Sequence, residues 1–139
     1  KHNNKIHYPL VDELLNFMQR FNKDYNNTFW SLSQDDFLQN TLMNDSEFIL
    51  WQKKWQKNIN KFSSIKEAQD LMRKTNPIII PRNNLVEEAL EEASNGNINS
   101  LQKLLNIISN PYQQKHGLSD FMKPPGLSFE QNFQTYCGT

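Results

Sequence analysis

The chain has 139 residues, a formal net charge of zero and one cysteine. That length suits a single domain able to bury a real core, and the balanced charge gives no reason to expect a nucleic-acid or anionic-membrane partner. One thiol rules out an internal disulfide, which fits a reducing compartment or a thiol partner elsewhere, and no stretch approaches the roughly 20 apolar residues of a membrane span or the pattern of a signal segment.

Residues 1–9 are polar and predict a disordered end. The chain opens at Lys1 without Met, so it reads as a trimmed piece with a natural C-terminus at Thr139. From Leu10 the apolar positions Leu10, Val11, Leu14, Leu15, Phe17, Met18 and Phe21 follow helical spacing. Asn22 to Thr28 is expected to be a turn. Ser33, with Asp36 three residues later, predicts a helix start and a helix to about Met43. Ser46 opens a further helix that sets Phe48, Trp51, Trp55, Ile59 and Phe62 on one face. Its lysines, Lys53, Lys54, Lys57 and Lys61, lie mostly on the other. Trp30, Trp51 and Trp55 are large core candidates.

Ser64 and Glu67 form a capping box for a helix carrying Ile65, Ala68, Leu71 and Met72. That helix must stop before Pro77, because the residue preceding a proline disfavours helical backbone. Ile78-Ile79-Ile80, between two prolines, is too short for a helix and is expected to be an extended segment pressed into the core. A helix over 82–95 carries Leu85, Val86, Ala89, Leu90 and Ala93, with Gly96 as its C-terminal stop. Asn97 is placed to cap the next helix, which carries Ile98, Leu101, Leu104, Leu105 and Ile108 and ends before Pro111. Residues 109–139 hold Tyr112, Phe121, Phe129, Phe133 and Tyr136 among prolines and glycines, the pattern of a docked tail held by aromatic anchors. No strand pattern stands out. The expected fold is all-α, a bundle of five to six helices with an extended, aromatic-anchored C-terminal tail.

Few residues carry chemistry. His2, His7, His116 and Cys137 are the imidazole and thiol ligands, and none shows metal-ligand spacing. Asp35-Asp36, Glu87-Glu88 and Glu91-Glu92 read as a helix-start charge and a solvated face, with nothing nearby to shift a pKa for acid–base work. The helix pair over 83–108 has an ankyrin-like rhythm, but a repeat array needs several copies and one is present. Lys53 to Lys61 beside two tryptophans would suit nucleic acid only if the rings faced the lysines, and the spacing favours core packing. No catalytic, cofactor-binding or metal residue is assigned.

Two positions stand apart. A guanidinium at a helix start, as in Arg82-Asn83, sits badly with the helix dipole and calls for a compensating carboxylate, a carbonyl cluster or a contact with a partner domain. Cys137, third from the end, is either a small residue in a docked tail or a redox thiol whose partner lies outside these residues.

The ordered set Asn76-Pro77, Arg82-Asn83, the 89–105 hairpin, Asn110-Pro111-Tyr112, Pro124-Pro125 and Cys137, with Asp24-Tyr25-Asn26-Asn27-Thr28-Phe29 upstream, resembles the selenoprotein O (SelO) family. The likeness covers Leu10 to Ser33 and Asn76 to Thr139, while residues 34–75 match poorly. Members of that family are kinase-like proteins that transfer AMP from ATP, with Mg²⁺ or Mn²⁺, to Ser, Thr or Tyr hydroxyls. The resemblance implies a C-terminal helical domain of such an adenylyltransferase, itself non-catalytic, whose partners are the upstream kinase-like domain and the parent's protein substrates. It implies a cytoplasmic setting in a bacterium or a mitochondrial one in a eukaryote. It implies a redox role for Cys137; a structural ion pair is the expectation for Arg82, with interdomain contact as the alternative for Arg82 and Asn83. Detached from its parent, the domain would expose a wide apolar surface near Ile78 to Ile80 and the aromatic tail, which self-association would mask. The competing expectation is a free-standing, non-catalytic helical interaction module.

Overall fold

A computed structural model of the chain describes residues 8–35, 45–114 and 116–133. In these residues eight helices follow one another: α1 (Pro9–Arg20), α2 (Tyr25–Leu32), α3 (Ser46–Ile59), α4 (Ile65–Thr75), α5 (Asn83–Ser94), α6 (Asn99–Ile108), α7 (Ser119–Met122) and α8 (Leu127–Asn132). No strand occurs among the described residues, so the all-α expectation holds. The chain divides into two compact units, Lys1–Asn76 and Pro77–Thr139.

In the first unit, α1 packs on α3, α2 packs on α4, and α3 meets α4. The core is Leu14, Phe17 and Met18 of α1, Leu32 of α2, and Phe48 and Trp51 of α3, with Leu10, Phe29, Trp55 and Met72 against it. The periodicity of α1 and α3 points these side chains inward, as their spacing requires. Aromatic rings run through the core in sequence. Phe17 lies 5.1 Å from Phe48, Phe48 lies 5.4 Å from Trp51, and Trp51 stacks on Trp55 at 6.0 Å. Trp51 is buried, whereas Trp30 and Trp55 are half-buried. The Trp51 indole Nε1 donates to the Leu10 carbonyl at 2.7 Å, which ties α3 to the first turn of α1.

The expected turn over 22–28 is shorter than the spacing suggested. Asp24 is an N-cap: its carboxylate accepts from the Asn27 amide at 2.8 Å, and α2 begins at Tyr25. Its polar residues do not oppose the helix, because they bond locally; the Thr28 hydroxyl donates to the Asp24 carbonyl at 2.7 Å. Ser33 does not start a helix but ends α2 as its C-cap, and its hydroxyl turns back to the Trp30 carbonyl at 2.6 Å. The remainder of the helix expected to about Met43 lies outside the described residues, apart from Gln34 and Asp35 at its start.

Phe62 is a second correction. It is 86% exposed, because α3 stops at Ile59 with Asn60 as C-cap, and the turn that follows carries Phe62 off the apolar stripe. The Ser64–Glu67 capping box is present in full. The Glu67 amide donates to Ser64 Oγ at 3.2 Å, and the Ser64 amide donates to the Glu67 carboxylate at 3.0 Å. Helix α4 then ends with Asn76 in extended backbone before Pro77.

In the second unit, α5 and α6 form an antiparallel pair. Gly96 stops α5 in left-handed backbone, with φ of 89°. Its amide bonds the Ala93 carbonyl, and the Asn97 amide bonds the Glu92 carbonyl, which together make a Schellman cap. Asn97 Oδ1 accepts from the Asn99 amide at 3.2 Å, so this residue caps α6 by side chain although the helix is bounded one residue later. Ile78 and Ile79 are buried, as an extended segment pressed into the core requires, so they do not form the exposed apolar surface expected there; the Ile78 amide donates to the Pro111 carbonyl at 2.7 Å. Beyond α6 the tail coils into the short α7 and α8. Phe121 sits beneath Lys103 of α6, with Nζ 5.3 Å from the ring centroid, and Phe129 stacks on Phe133 at 5.2 Å.

Candidate functional site

Arg82 is the N-cap residue of α5, yet its side chain does not cap the helix. It is 6% exposed, and its guanidinium Nη2 donates to the Met122 carbonyl at 3.2 Å, at the end of α7. A backbone carbonyl thus meets this guanidinium, whose position at a helix start calls for compensation. Asn83 follows it as the first residue of α5 and is exposed. The two neighbours therefore do different work: Arg82 ties α5 to the tail, and Asn83 faces outward.

Cys137, His2 and His7 lie outside the described residues. His116 is exposed. Among the described residues no group of three His, Cys, Asp or Glu side chains is placed to hold a metal ion, and no helix is long and apolar enough to cross a membrane. The described glycines, Gly96, Gly117 and Gly126, stand far apart, so there is no Gly-rich loop to cradle phosphates. Glu92 accepts from Ser100 Oγ at 2.6 Å and from Asn97 Nδ2 at 3.2 Å, which closes the α5–α6 turn.

The first unit carries two further features. One is a polar clamp that the sequence reading missed. Gln69 Nε2 donates to the Gln34 carbonyl at 2.7 Å, and Arg73 Nη1 donates to the Ser33 carbonyl. Both side chains of α4 thereby satisfy carbonyls at the C-terminal end of α2. The signal was a Gln and an Arg one helical turn apart on an otherwise amphipathic helix. Arg73 also bonds Asp70, and this hydrogen bond holds the Asp70 carboxyl below its ordinary range. Glu67 is likewise held below the usual carboxylate range, first by the Ser64 amide and then by the Ser63 and Ser64 hydroxyls.

The other feature is an apolar groove of about 410 Å³ among α1, α2, α3 and α4. Leu10, Leu14, Trp51, Trp55, Leu71 and Met72 line it. Lys53, Lys54 and Lys57 of α3 and Lys61 beyond it are exposed and are not among the residues that line this groove, and Lys54 pairs with Glu13 at 2.9 Å. The tryptophans are thus part of the core and its groove, as their spacing predicts.

A family model described as protein adenylyltransferase SelO matches residues 1–109. The chain is 40% identical over 132 residues to protein nucleotidyltransferase YdiU of Bacillus cereus strain AH820, across 94% of this chain and 27% of that protein. The protein of the same name from Pelagibacter ubique is 38% identical over 131 residues, with the same coverage. That of Bacillus cereus strain ATCC 14579 is 37% identical over 139 residues, across 99% of this chain and 28% of the relative. The chain thus spans about a quarter of the length of the curated relatives it matches. The family match also runs through 34–75, where the sequence by itself showed little likeness. With a match that reaches into both compact units, the chain belongs to the SelO family of protein adenylyltransferases.

Proposed function

We propose that this chain is the C-terminal helical part of a longer protein adenylyltransferase. The parent transfers AMP from ATP to Ser, Thr or Tyr hydroxyls of other proteins. The chain itself supports the kinase-like part rather than performing chemistry. One observation carries this reading: the chain matches the adenylyltransferase family over most of its length yet accounts for only 27% of a related nucleotidyltransferase. ATP and Mg²⁺ or Mn²⁺ then belong to the remainder of the parent. Arg82 and Asn83 sit where α5 begins, and in this reading the exposed Asn83 meets the kinase-like part while Arg82 fixes the helix that presents it.

Cys137 is the redox element of the proposal. It is the one cysteine of the chain, so a disulfide partner must lie elsewhere in the parent, in a compartment reducing enough for the bond to be reversible.

The test is the full-length protein with ATP labelled on its α-phosphate and Mg²⁺ or Mn²⁺. The expected result is label transferred to hydroxyls of protein substrates. Absence of any protein-bound AMP would overturn the catalytic reading. For the cysteine, mild oxidation should shift the full-length protein on a non-reducing gel, and Cys137→Ser should abolish the shift. An unchanged shift in the variant removes the redox role.

A further inference from the structure

Among the described residues, the groove of the first unit is open on its outer side. Val11 is 43% exposed and Leu71 is 63% exposed, although both line the recess. Apolar side chains exposed singly are ordinary, but side chains aligned along one recess mark a docking place.

The polar atoms of the groove decide what kind of occupant it suits. Thr75 Oγ1 donates to the Leu71 carbonyl at 3.0 Å, and Asn76 Nδ2 donates to the Phe29 carbonyl at 3.3 Å. Trp51 Nε1 is committed to the Leu10 carbonyl. A small-molecule site keeps a few convergent polar groups to orient its ligand. Here those donors are turned to backbone, so the lining favours apolar side chains of a peptide.

Charge narrows the choice further. A second recess shares Leu10, Val11, Trp55 and Ile59 with the first and ends at Lys54, Lys57 and Lys61. Lys54 pairs with Glu13, which leaves Lys57 and Lys61 to make that end positive.

We propose that an amphipathic segment of the same polypeptide, outside these 139 residues, lies along the groove. Its apolar residues pack on Trp55, Leu71 and Met72, and its carboxylates face Lys57 and Lys61. The proposal rests on the reading of the chain as part of a longer adenylyltransferase. The relatives supply the length, since the chain spans only 27% of a matched one. A tethered segment also has a high effective concentration, so a shallow groove is enough where a free partner would need a wider interface.

The experiment is photo-crosslinking in the full-length protein with Leu71→p-benzoylphenylalanine, and separately with Val11→p-benzoylphenylalanine in case one variant misfolds. Crosslinked peptides are identified by mass spectrometry. The expected product is intramolecular and joins position 71 or 11 to a peptide from outside this chain. The double substitution Lys57→Glu with Lys61→Glu should lower its yield several-fold. Crosslinks between two copies, crosslinks within the 139 residues only, or no crosslink at either position would each overturn the proposal. AMP transfer measured on the same preparation keeps the two readings apart. A crosslink to the expected region in a protein that labels nothing sinks the catalytic reading alone. Labelling without the crosslink sinks this one alone.

Discussion

Arg73 of α4 donates its guanidinium to the backbone carbonyl of Ser33, the fully buried C-cap of α2. A cation placed at a helix C-terminus is favourable to the dipole, and here it also satisfies a carbonyl that water cannot reach. Gln69, one turn earlier, does the same for Gln34. The two bonds join α4 to the C-terminal end of α2.

Arg73→Ala should therefore cost about 1–3 kcal/mol, the range for losing a hydrogen bond to a charged group and stranding its buried acceptor. Urea unfolding is the measurement, with the midpoint lowered and the slope unchanged. A shift below about 0.5 kcal/mol, the scale of an ordinary surface substitution, would show that the clamp contributes little.

Trp51 tests the core. It is 6% exposed and holds the Leu10 carbonyl by its indole N–H. Trp51→Phe removes the donor and part of the volume and is expected to cost roughly 2–3 kcal/mol, while Trp51→Ala should cost about 3–5 kcal/mol. Equal losses for the two variants would mean that the hydrogen bond, not the packing, dominates.

Two left-handed residues close helices α1 and α5. Asn22 has φ of 47° and Gly96 has φ of 89°, and each sits in a Schellman cap: the Lys23 amide bonds the Met18 carbonyl just as the Asn97 amide bonds that of Glu92. No atom lies within 4 Å of where a Cβ on Gly96 would stand, so Gly96→Ala should cost about 1–2 kcal/mol from backbone conformation alone. Asn22→Gly should be neutral or stabilise by a few tenths of a kcal/mol. Thermal melts of both variants check this, and a Gly96→Ala protein as stable as the parent would mean that the cap relaxes to another conformation.

Acid should loosen α4 first. The folded-state pKa of Glu67 is depressed by the Ser64 amide and the neighbouring hydroxyls. Its contribution is therefore complete above the ordinary carboxylate value near 4.5 and is lost as pH falls through the lower folded value. Asp70, lowered by Arg73, acts in the same direction. Glu67→Gln keeps the capping geometry but removes the titrating group. The stability difference between parent and variant should shrink as melts are taken from pH 7 to pH 3. A difference that stays constant with pH would remove the ionic part of this cap.

Helices α1, α3, α4, α5 and α6 were legible from residue order, because each has apolar side chains on a helical period and a local start or stop signal. Ser64 with Glu67, Asn76 before Pro77, and Gly96 after α5 are such signals, and their chemistry acts over one turn of chain. The family was legible in the same way, from motifs such as Asp24 to Phe29 and Asn76-Pro77. Helix α2 was not, since its polar residues look like a turn until Asp24 is seen capping it and Arg73 and Gln69 are seen closing it from 40 and 35 residues away. The same holds for the carbonyl that Arg82 meets, 40 residues on, and for the groove walled by α1, α2, α3 and α4. Sequence determines what acts between neighbours along the chain: periodicity, caps and stops. Only the tertiary structure decides which distant carbonyl a buried cation meets and which apolar faces stay uncovered, because those outcomes depend on how helices pack and not on how each one forms.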